Sequence, residues 1–155
     1  MPMKNERLSE PLSFKRILLT IDADDPNSSI NAFRYAVTLA KDYEIELRIV
    51  SVLEDDDVNI FDAMTPGKVD RKEDDVNRTV EDYVKVARKA GADNVRGMSV
   101  GMGDVDDVIL DQVIPKYKPD LIVCGSDTAD ASHRVPGAVG LRIAKRANVS
   151  VIVVR

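Results

Sequence analysis

The chain has 155 residues, of which 44% are apolar and 32% are charged, and its formal net charge is −5. This length and composition suffice for the core of one domain, which excludes a disordered or fibrous chain. The single cysteine, Cys124, excludes a disulfide framework and a cysteine-rich zinc site, and it favours a reducing compartment.

Charge and hydropathy patterning narrow the choice of partners and compartment. Acidic residues cluster at 54–57 and 104–107 with no basic stripe to offset them, so we expect no nucleic-acid partner. No apolar run approaches the ~20 residues that a membrane span needs. The first residues lack the apolar core of a secretory signal. We therefore expect a cytoplasmic protein without a membrane partner.

Strand-like and helix-like patterns alternate along the chain. Runs of branched apolar residues predict strands at 17–21, 45–52, 95–100, 121–124 and 149–154. Apolar side chains at helical spacing predict helices over about 30–40, 76–90, 105–115 and 139–147. In the first of these helices the predicted buried face includes Ile30. Residues 53–75 carry nine acidic and three basic side chains with little periodicity, and they are interpreted as an exposed loop leading into the second helix.

This alternation indicates an α/β fold with a parallel sheet and helices on both faces. Residues 14–155 are interpreted as a single doubly wound domain, and residues 1–13, polar and with two prolines, as a flexible lead-in. In such folds a ligand sits beyond the carboxyl ends of the strands, where the strand order reverses. Topology alone therefore nominates Asp22, the turn at 101–103, and Gly125 with Ser126.

Each nominated residue also has a structural interpretation. Asp22 is expected either to accept hydrogen bonds from a purine or ribose, or to cap the loop that follows the first strand. The Gly125-Ser126-Asp127-Thr128 turn is of a type that exposes backbone amides to phosphate, and Gly137 begins a helix whose positive end suits an anion. No arrangement predicts a nucleophile with its base, so we expect no catalytic residue and, since adjacent acids at 54–57 do not converge, no metal site.

Four segments in register resemble the universal stress protein family. They are ILLTID at 17–22, GDVDDVI at 103–109, PDLIVCGS at 119–126, and the stretch from GAVG at 137 to VIVV at 154. The likeness spans about residues 14–155. It implies a three-layer domain with a five-stranded parallel sheet of order 3-2-1-4-5. It also implies a homodimer made by the last strand, 149–154, which is apolar and has no following helix to cover it.

The family's ATP-binding members share a loop pattern that this chain keeps only in part. That pattern is a glycine, any two residues, a second glycine, any nine residues, and a third glycine followed by serine or threonine. Gly125 matches the first position, but the second falls on Thr128. Gly137 takes the third place one residue too early, and Ala138 replaces the hydroxyl residue. Asp22 is retained at the adenine or ribose position, so we expect phosphate contacts to be lost before adenosine contacts.

The resemblance implies a non-catalytic stress-response protein with an adenine-nucleotide cleft that is weakened for ATP. Its expected cofactor is ATP or AMP, with magnesium only if a triphosphate binds, and an empty cleft is the alternative. A second hypothesis is a small enzyme that acts on an adenylyl or phosphoryl group in the same cleft. A third, a flavin-binding electron carrier, lacks aromatic residues at the nominated loops.

Overall fold

The computed structural model describes residues 6–54, 58–126 and 138–155. These residues form one five-stranded sheet in which every pairing is parallel and the strand order is β3-β2-β1-β4-β5. The strands are β1 (Arg16–Thr20), β2 (Glu46–Val50), β3 (Val95–Met98), β4 (Leu121–Gly125) and β5 (Ser150–Val154). The predicted fold class is confirmed, with each strand beginning and ending within about two residues of its predicted bounds.

Helices cover both faces of the sheet in the described residues. They are α1 (Pro26–Asp42), α2 (Ile60–Met64), α3 (Lys68–Lys89), α4 (Val105–Val108), α5 (Ile114–Tyr117) and α6 (Ala138–Arg146). Helices α1 and α3 pack with side chains such as Leu19 and Ile49 on one face. Helices α4 and α6 pack with Leu18 and Ile122 on the other. Because both faces are covered, the central strands read as continuous apolar runs, which is why they were predictable.

The interpretation of residues 53–75 as a loop was wrong from Ile60 onward. Helix α2 lies inside this segment, and α3 begins at Lys68, eight residues before Val76. Gly67 precedes α3 in the left-handed region, with φ of 73°, which a glycine adopts without strain. The first turns of α3 face solvent and carry charged side chains, so they show no apolar period. The periodic stripe begins only where the helix meets the sheet, at Val76 and Val80.

The expected buried face of α1 was partly wrong. Ile30 is 44% exposed, and the residues that α1 buries are small or branched ones: Ser29, Ala32, Ala36, Val37 and Ala40. Alanines allow the helix to lie close to the sheet. The apolar spacing identified the helix correctly but placed one large side chain on the wrong side of it.

Pro115 does not end the helix that follows Gly103. A π-helical turn at Ile109–Val113 joins α4 to α5, and the helical path continues to Tyr117. In this wide turn the Ile114 N–H donates to the Ile109 carbonyl, five residues back. A proline lacks an N–H and crowds the preceding turn, and a widened turn is one way to place it inside a helix. The helix ends at Lys118, which adopts a positive φ of 55°.

Candidate functional site

A cavity of about 50 Å³ lies at the carboxyl ends of β1 and β4. This is the point at which α1 packs on one face of the sheet, while α6, the next described helix after β4, packs on the other. Asp22, Glu54, Cys124 and Gly125 all line it. The structure therefore brings together two of the predicted site residues, Asp22 and Gly125, at the predicted topological position.

The Asp22 carboxylate holds the loop between β1 and α1. Its Oδ1 atom accepts hydrogen bonds from the backbone N–H of Asp24 at 2.9 Å and of Asp25 at 3.3 Å. The Asp22 N–H in turn donates to Ser29 Oγ at 3.1 Å. The expected capping role is thus present in the geometry, and the same side chain also lines the cavity.

The charge of Asp22 acts beyond its own loop. Tyr83 of α3 packs edge to face against Phe33 of α1, with ring centroids 5.1 Å apart. Burial raises the pKa of the Tyr83 phenol, and the negative charge of Asp22 raises it further. The Asp22 carboxylate is therefore a charged group whose field reaches the contact between α1 and α3.

Gly125 is required by packing, whether or not a ligand binds. A Cβ atom at this position would lie 1.9 Å from the Ser28 carbonyl oxygen, in the first turn of α1. The end of β4 and the start of α1 therefore touch backbone to backbone. The next residue, Ser126, donates its N–H to the Val154 carbonyl at 3.0 Å. This amide continues the pairing with β5, contrary to the expectation that the turn exposes it to phosphate.

Helix α6 forms another wall of the cavity. Gly140 lets it approach the sheet, because a Cβ there would lie 3.0 Å from Cys124 Sγ and 3.1 Å from a Val153 methyl carbon. The Cys124 thiol is buried and donates to the Ile152 carbonyl at 3.6 Å. Gly140 was not predicted as a site residue. The sequence signal that could have identified it is its spacing, three residues after Gly137.

The remaining predicted site residues are placed only in part. Thr128 and Gly137 lie outside the described residues. Ala138 is the first residue of α6, and its side chain is likewise not described. The next residue but one, Gly140, lines the cavity, so the start of α6 lies close to the predicted cleft.

A buried carboxylate ties α6 to α4 beside the cavity. Asp106 is 6% exposed and forms ion pairs with Arg142 at 3.1 Å and Arg146 at 2.8 Å. Burial by itself works to raise the pKa of Asp106, but the hydrogen bonds from the two arginines outweigh it and hold the pKa below its usual range. This pairing was not predicted from the sequence. Since Val105 and Val139 line the cavity, the contact fixes two of its walls relative to each other.

A second cavity, of about 390 Å³, opens on the other side of the β1–α1 loop. Ala23, Asp24 and Leu53 line it together with α3 residues that include Asp75 and Thr79. Among the residues that the structure describes, no cluster of His, Cys, Asp or Glu side chains is arranged to hold a metal ion. None of the described helices is long and apolar enough to cross a membrane.

The sequence profile of the universal stress protein family matches residues 13–155. This chain belongs to the universal stress protein family. The match covers every described strand and all six helices. No curated protein sequence matches the chain significantly.

Solved structures share the fold at low sequence identity. Universal stress protein UspA from Lactobacillus plantarum is 23% identical, with a TM-score of 0.74 over 94% of this chain and 100% of that one. A universal stress protein in complex with cAMP is 22% identical, with a TM-score of 0.63 over 92% and 97%. The Archaeoglobus fulgidus protein in complex with dAMP is 15% identical, with a TM-score of 0.58 over 91% and 98%.

Proposed function

We propose that this protein is a non-catalytic, cytoplasmic stress-response protein that binds an adenine nucleoside or nucleotide in the cavity between β1 and β4. The observation that carries this proposal is that Asp22 and Gly125 line one cavity at the switch point of the sheet. Two relatives of the same fold are described in complex with cAMP and with dAMP. AMP and adenosine are the ligands that this site favours over ATP.

In this proposal Asp22 receives the purine or ribose, and the segment containing Gly125, Ser126, Thr128, Gly137 and Ala138 receives the phosphates. Two features support weak phosphate binding. The Ser126 amide is already paired with β5, and the sequence lacks two residues of the family's loop pattern. Magnesium accompanies only a triphosphate.

The hydrogen bonds around the cavity favour binding over catalysis. Two of the hydroxyl and thiol groups that line the cavity, those of Ser28 and Cys124, donate to backbone carbonyls: Ser28 Oγ to Asp25 at 2.8 Å and Cys124 Sγ to Ile152 at 3.6 Å. A nucleophile needs a base within hydrogen-bonding reach to take its proton. Neither group donates to a base in these contacts, and no observation favours the alternative of an adenylyl- or phosphoryl-transferring enzyme.

The homodimer is proposed through β5. Among the described residues this strand pairs with β4 alone, and its four valine and isoleucine residues at 151–154 are all partly exposed. An apolar edge strand is open to uncontrolled pairing, and a symmetric dimer closes it. Light scattering at micromolar concentration should report twice the chain mass of 17.1 kDa. A monomer mass would contradict this part of the proposal.

Calorimetric titration with adenosine, AMP and ATP, with and without magnesium, tests the ligand. We expect adenosine and AMP to bind more tightly than ATP. Asp22→Asn keeps an oxygen that can cap the loop but removes the charge. Asp75→Asn makes the same change in the larger cavity and serves as the matched control.

If Asp22 contacts the ligand, Asp22→Asn should weaken adenosine binding about tenfold, while Asp75→Asn leaves it unchanged. The reverse pattern would place the ligand in the larger cavity. Sub-micromolar, magnesium-dependent ATP binding would show that the altered loop still holds phosphates. An absence of any adenosine response at millimolar concentration would contradict the proposal.

A further inference from the structure

Helix α2 carries its apolar side chains on the outside. Ile60, Phe61 and Met64 are 70%, 76% and 75% exposed, and the one residue that this helix buries is the charged Asp62. A short helix on a protein surface ordinarily does the opposite and turns its apolar side chains toward the core. We call Ile60, Phe61 and Met64 the α2 patch.

Polar contacts, not hydrophobic burial, hold α2 in this orientation. Asp62 Oδ2 accepts a hydrogen bond from the Asn59 N–H, and Asn59 Oδ1 accepts one from the Asp62 N–H at 2.8 Å, which closes a capping box. Lys68 and Lys72, one turn apart on α3, both form ion pairs with the same carboxylate, at 2.5 and 2.9 Å. These contacts fix the helix with its patch facing outward.

Exposing three large apolar side chains forgoes a sizeable stabilisation. Burial of such a side chain against a core ordinarily stabilises a fold. Isolated apolar residues on a surface need no explanation, but three exposed together on one anchored five-residue helix form a patch of the kind that marks an interaction site. Because α2 is already held in place, little conformational entropy is lost at the patch when a partner binds.

The charge of the residues around the α2 patch indicates what charge its partner carries. The described residues 58–75 carry five acidic and three basic side chains, a net charge of −2, and two of the three bases, Lys68 and Lys72, are paired with the buried Asp62. A membrane with anionic headgroups is repelled by such a surface. A second copy of the chain would bring two acidic segments together, which is also unfavourable. A basic surface is attracted to it.

We infer that the α2 patch is a docking site for a basic amphipathic segment of another protein. The apolar side of that segment packs on Ile60, Phe61 and Met64, and its lysines or arginines face the acids at the start of α3, such as Asp70 and Asp74. In this mode of recognition an amphipathic helix packs its apolar face on the partner, and complementary charges fix the orientation of the bound helix. The inference uses α2 and α3 only and does not depend on the nucleotide cleft.

A synthetic peptide of leucine and lysine at helical spacing is a suitable probe. Its matched control has the same leucines with every lysine replaced by glutamate. Backbone amide NMR shifts of the full chain locate the contact, and the titration gives the affinity. We expect the lysine peptide to shift amides within 58–75, to bind more weakly as salt is raised, and the glutamate peptide not to bind.

Two serine variants decide whether the patch is responsible. Phe61→Ser removes an exposed aromatic ring from α2, whereas Tyr43→Ser removes one that is 71% exposed at the end of α1. Both side chains lie outside the core, so both variants should keep the wild-type melting temperature. Phe61→Ser should weaken binding of the lysine peptide about tenfold, and Tyr43→Ser should leave it unchanged.

Several results would overturn the inference. One is equal binding of the two peptides, or shifts that fall outside 58–75. Another is equal affinity for the lysine peptide in the two serine variants. Recruitment to phosphatidylserine vesicles that Phe61→Ser abolishes would assign the patch to a lipid surface. Self-association in sedimentation that the same variant abolishes would assign it to a second copy of the chain.

Discussion

Two buried aspartates, associated with opposite faces of the sheet, are held by the same kind of contact, a pair of ion pairs to one helix. Asp62 of α2 is paired with Lys68 and Lys72, which are four residues apart on α3. Asp106 of α4 is paired with Arg142 and Arg146, which are four residues apart on α6. In each case one carboxylate receives two cations from adjacent turns of a single helix.

We call each aspartate with its two cations a clamp. The two clamps differ in the number of residues that separate the aspartate from its cations along the chain. Lys72 lies 10 residues from Asp62, whereas Arg146 lies 40 residues from Asp106. The first clamp attaches a five-residue helix to its neighbour in the chain. The second joins two helices that the whole of β4 separates and that both line the cavity. A local contact can therefore open by itself, whereas the distant one should open only with a larger part of the fold.

Removing the Asp106 carboxylate should have the largest effect on the stability of the fold. We expect Asp106→Ala to lower the free energy of unfolding by about 2 kcal/mol, the size usual for hydrogen bonds to charged groups. Both arginines are about half exposed, so they return to water instead of remaining as buried charges. Denaturant unfolding measures the loss.

Asp107 supplies the matched control for that variant. It binds the same Arg146 at 2.6 Å, but its own side chain is 52% exposed. An exposed ion pair contributes little, so Asp107→Ala should cost at most about 0.5 kcal/mol. Equal losses in the two variants would show that the burial of Asp106 is not what makes its clamp matter.

Lowering the pH should gradually remove the stabilisation that the Asp106 ion pairs provide. The pKa of Asp106 is lowered in the folded protein, so its ion pairs stabilise the fold above the ordinary carboxyl range. That stabilisation is lost as the pH falls below about 4. The difference in unfolding free energy between wild type and Asp106→Asn should therefore be constant near neutral pH and shrink under acid. A difference that stays constant down to pH 2 would contradict the lowered pKa.

Neither clamp was predicted from the sequence, although the strands and the position of the cavity were. An apolar run such as 17–21 is itself evidence of a buried strand. Right-handed connections limit the possible topologies, and the family resemblance implied the order 3-2-1-4-5. A buried aspartate leaves no comparable signal. Asp62 lies in a segment with nine acids, where it cannot be distinguished from its exposed neighbours. The partners of Asp106 become neighbours only when α4 and α6 reach the same face of the sheet.

The local clamp should open without the rest of the fold. In Asp62→Ala, helix α2 loses its capping box and both lysine contacts, while the buried stripe of α3 from Val76 onward is untouched. We expect backbone amides at 60–64 to exchange rapidly with solvent and those of β1 to keep their wild-type protection. Hydrogen exchange followed by NMR measures both.

Asp70→Ala is the control for this local effect. Asp70 is an exposed acid in the first turn of α3, so its removal should leave exchange at 60–64 unchanged. A fall in the protection of β1 in Asp62→Ala, similar to that in Asp106→Ala, would show that the two clamps are equally coupled to the fold. The contrast drawn from chain separation would then be wrong.

The smallest expected effect concerns the choice of arginine for one clamp and lysine for the other. Arg142 reaches Asp106 through Nε, and Arg146 through one terminal nitrogen, so neither pairs with the carboxylate through two parallel hydrogen bonds. A lysine can supply such a single contact, as Lys68 and Lys72 do at Asp62. Arg142→Lys should therefore cost less than about 0.5 kcal/mol of unfolding free energy, within the range of an exposed pair. Arg142→Met keeps the apolar stem but removes the charge, and it should cost more. If the lysine and methionine variants lose the same stability, the planar guanidinium itself, and not its charge, holds α6 against α4.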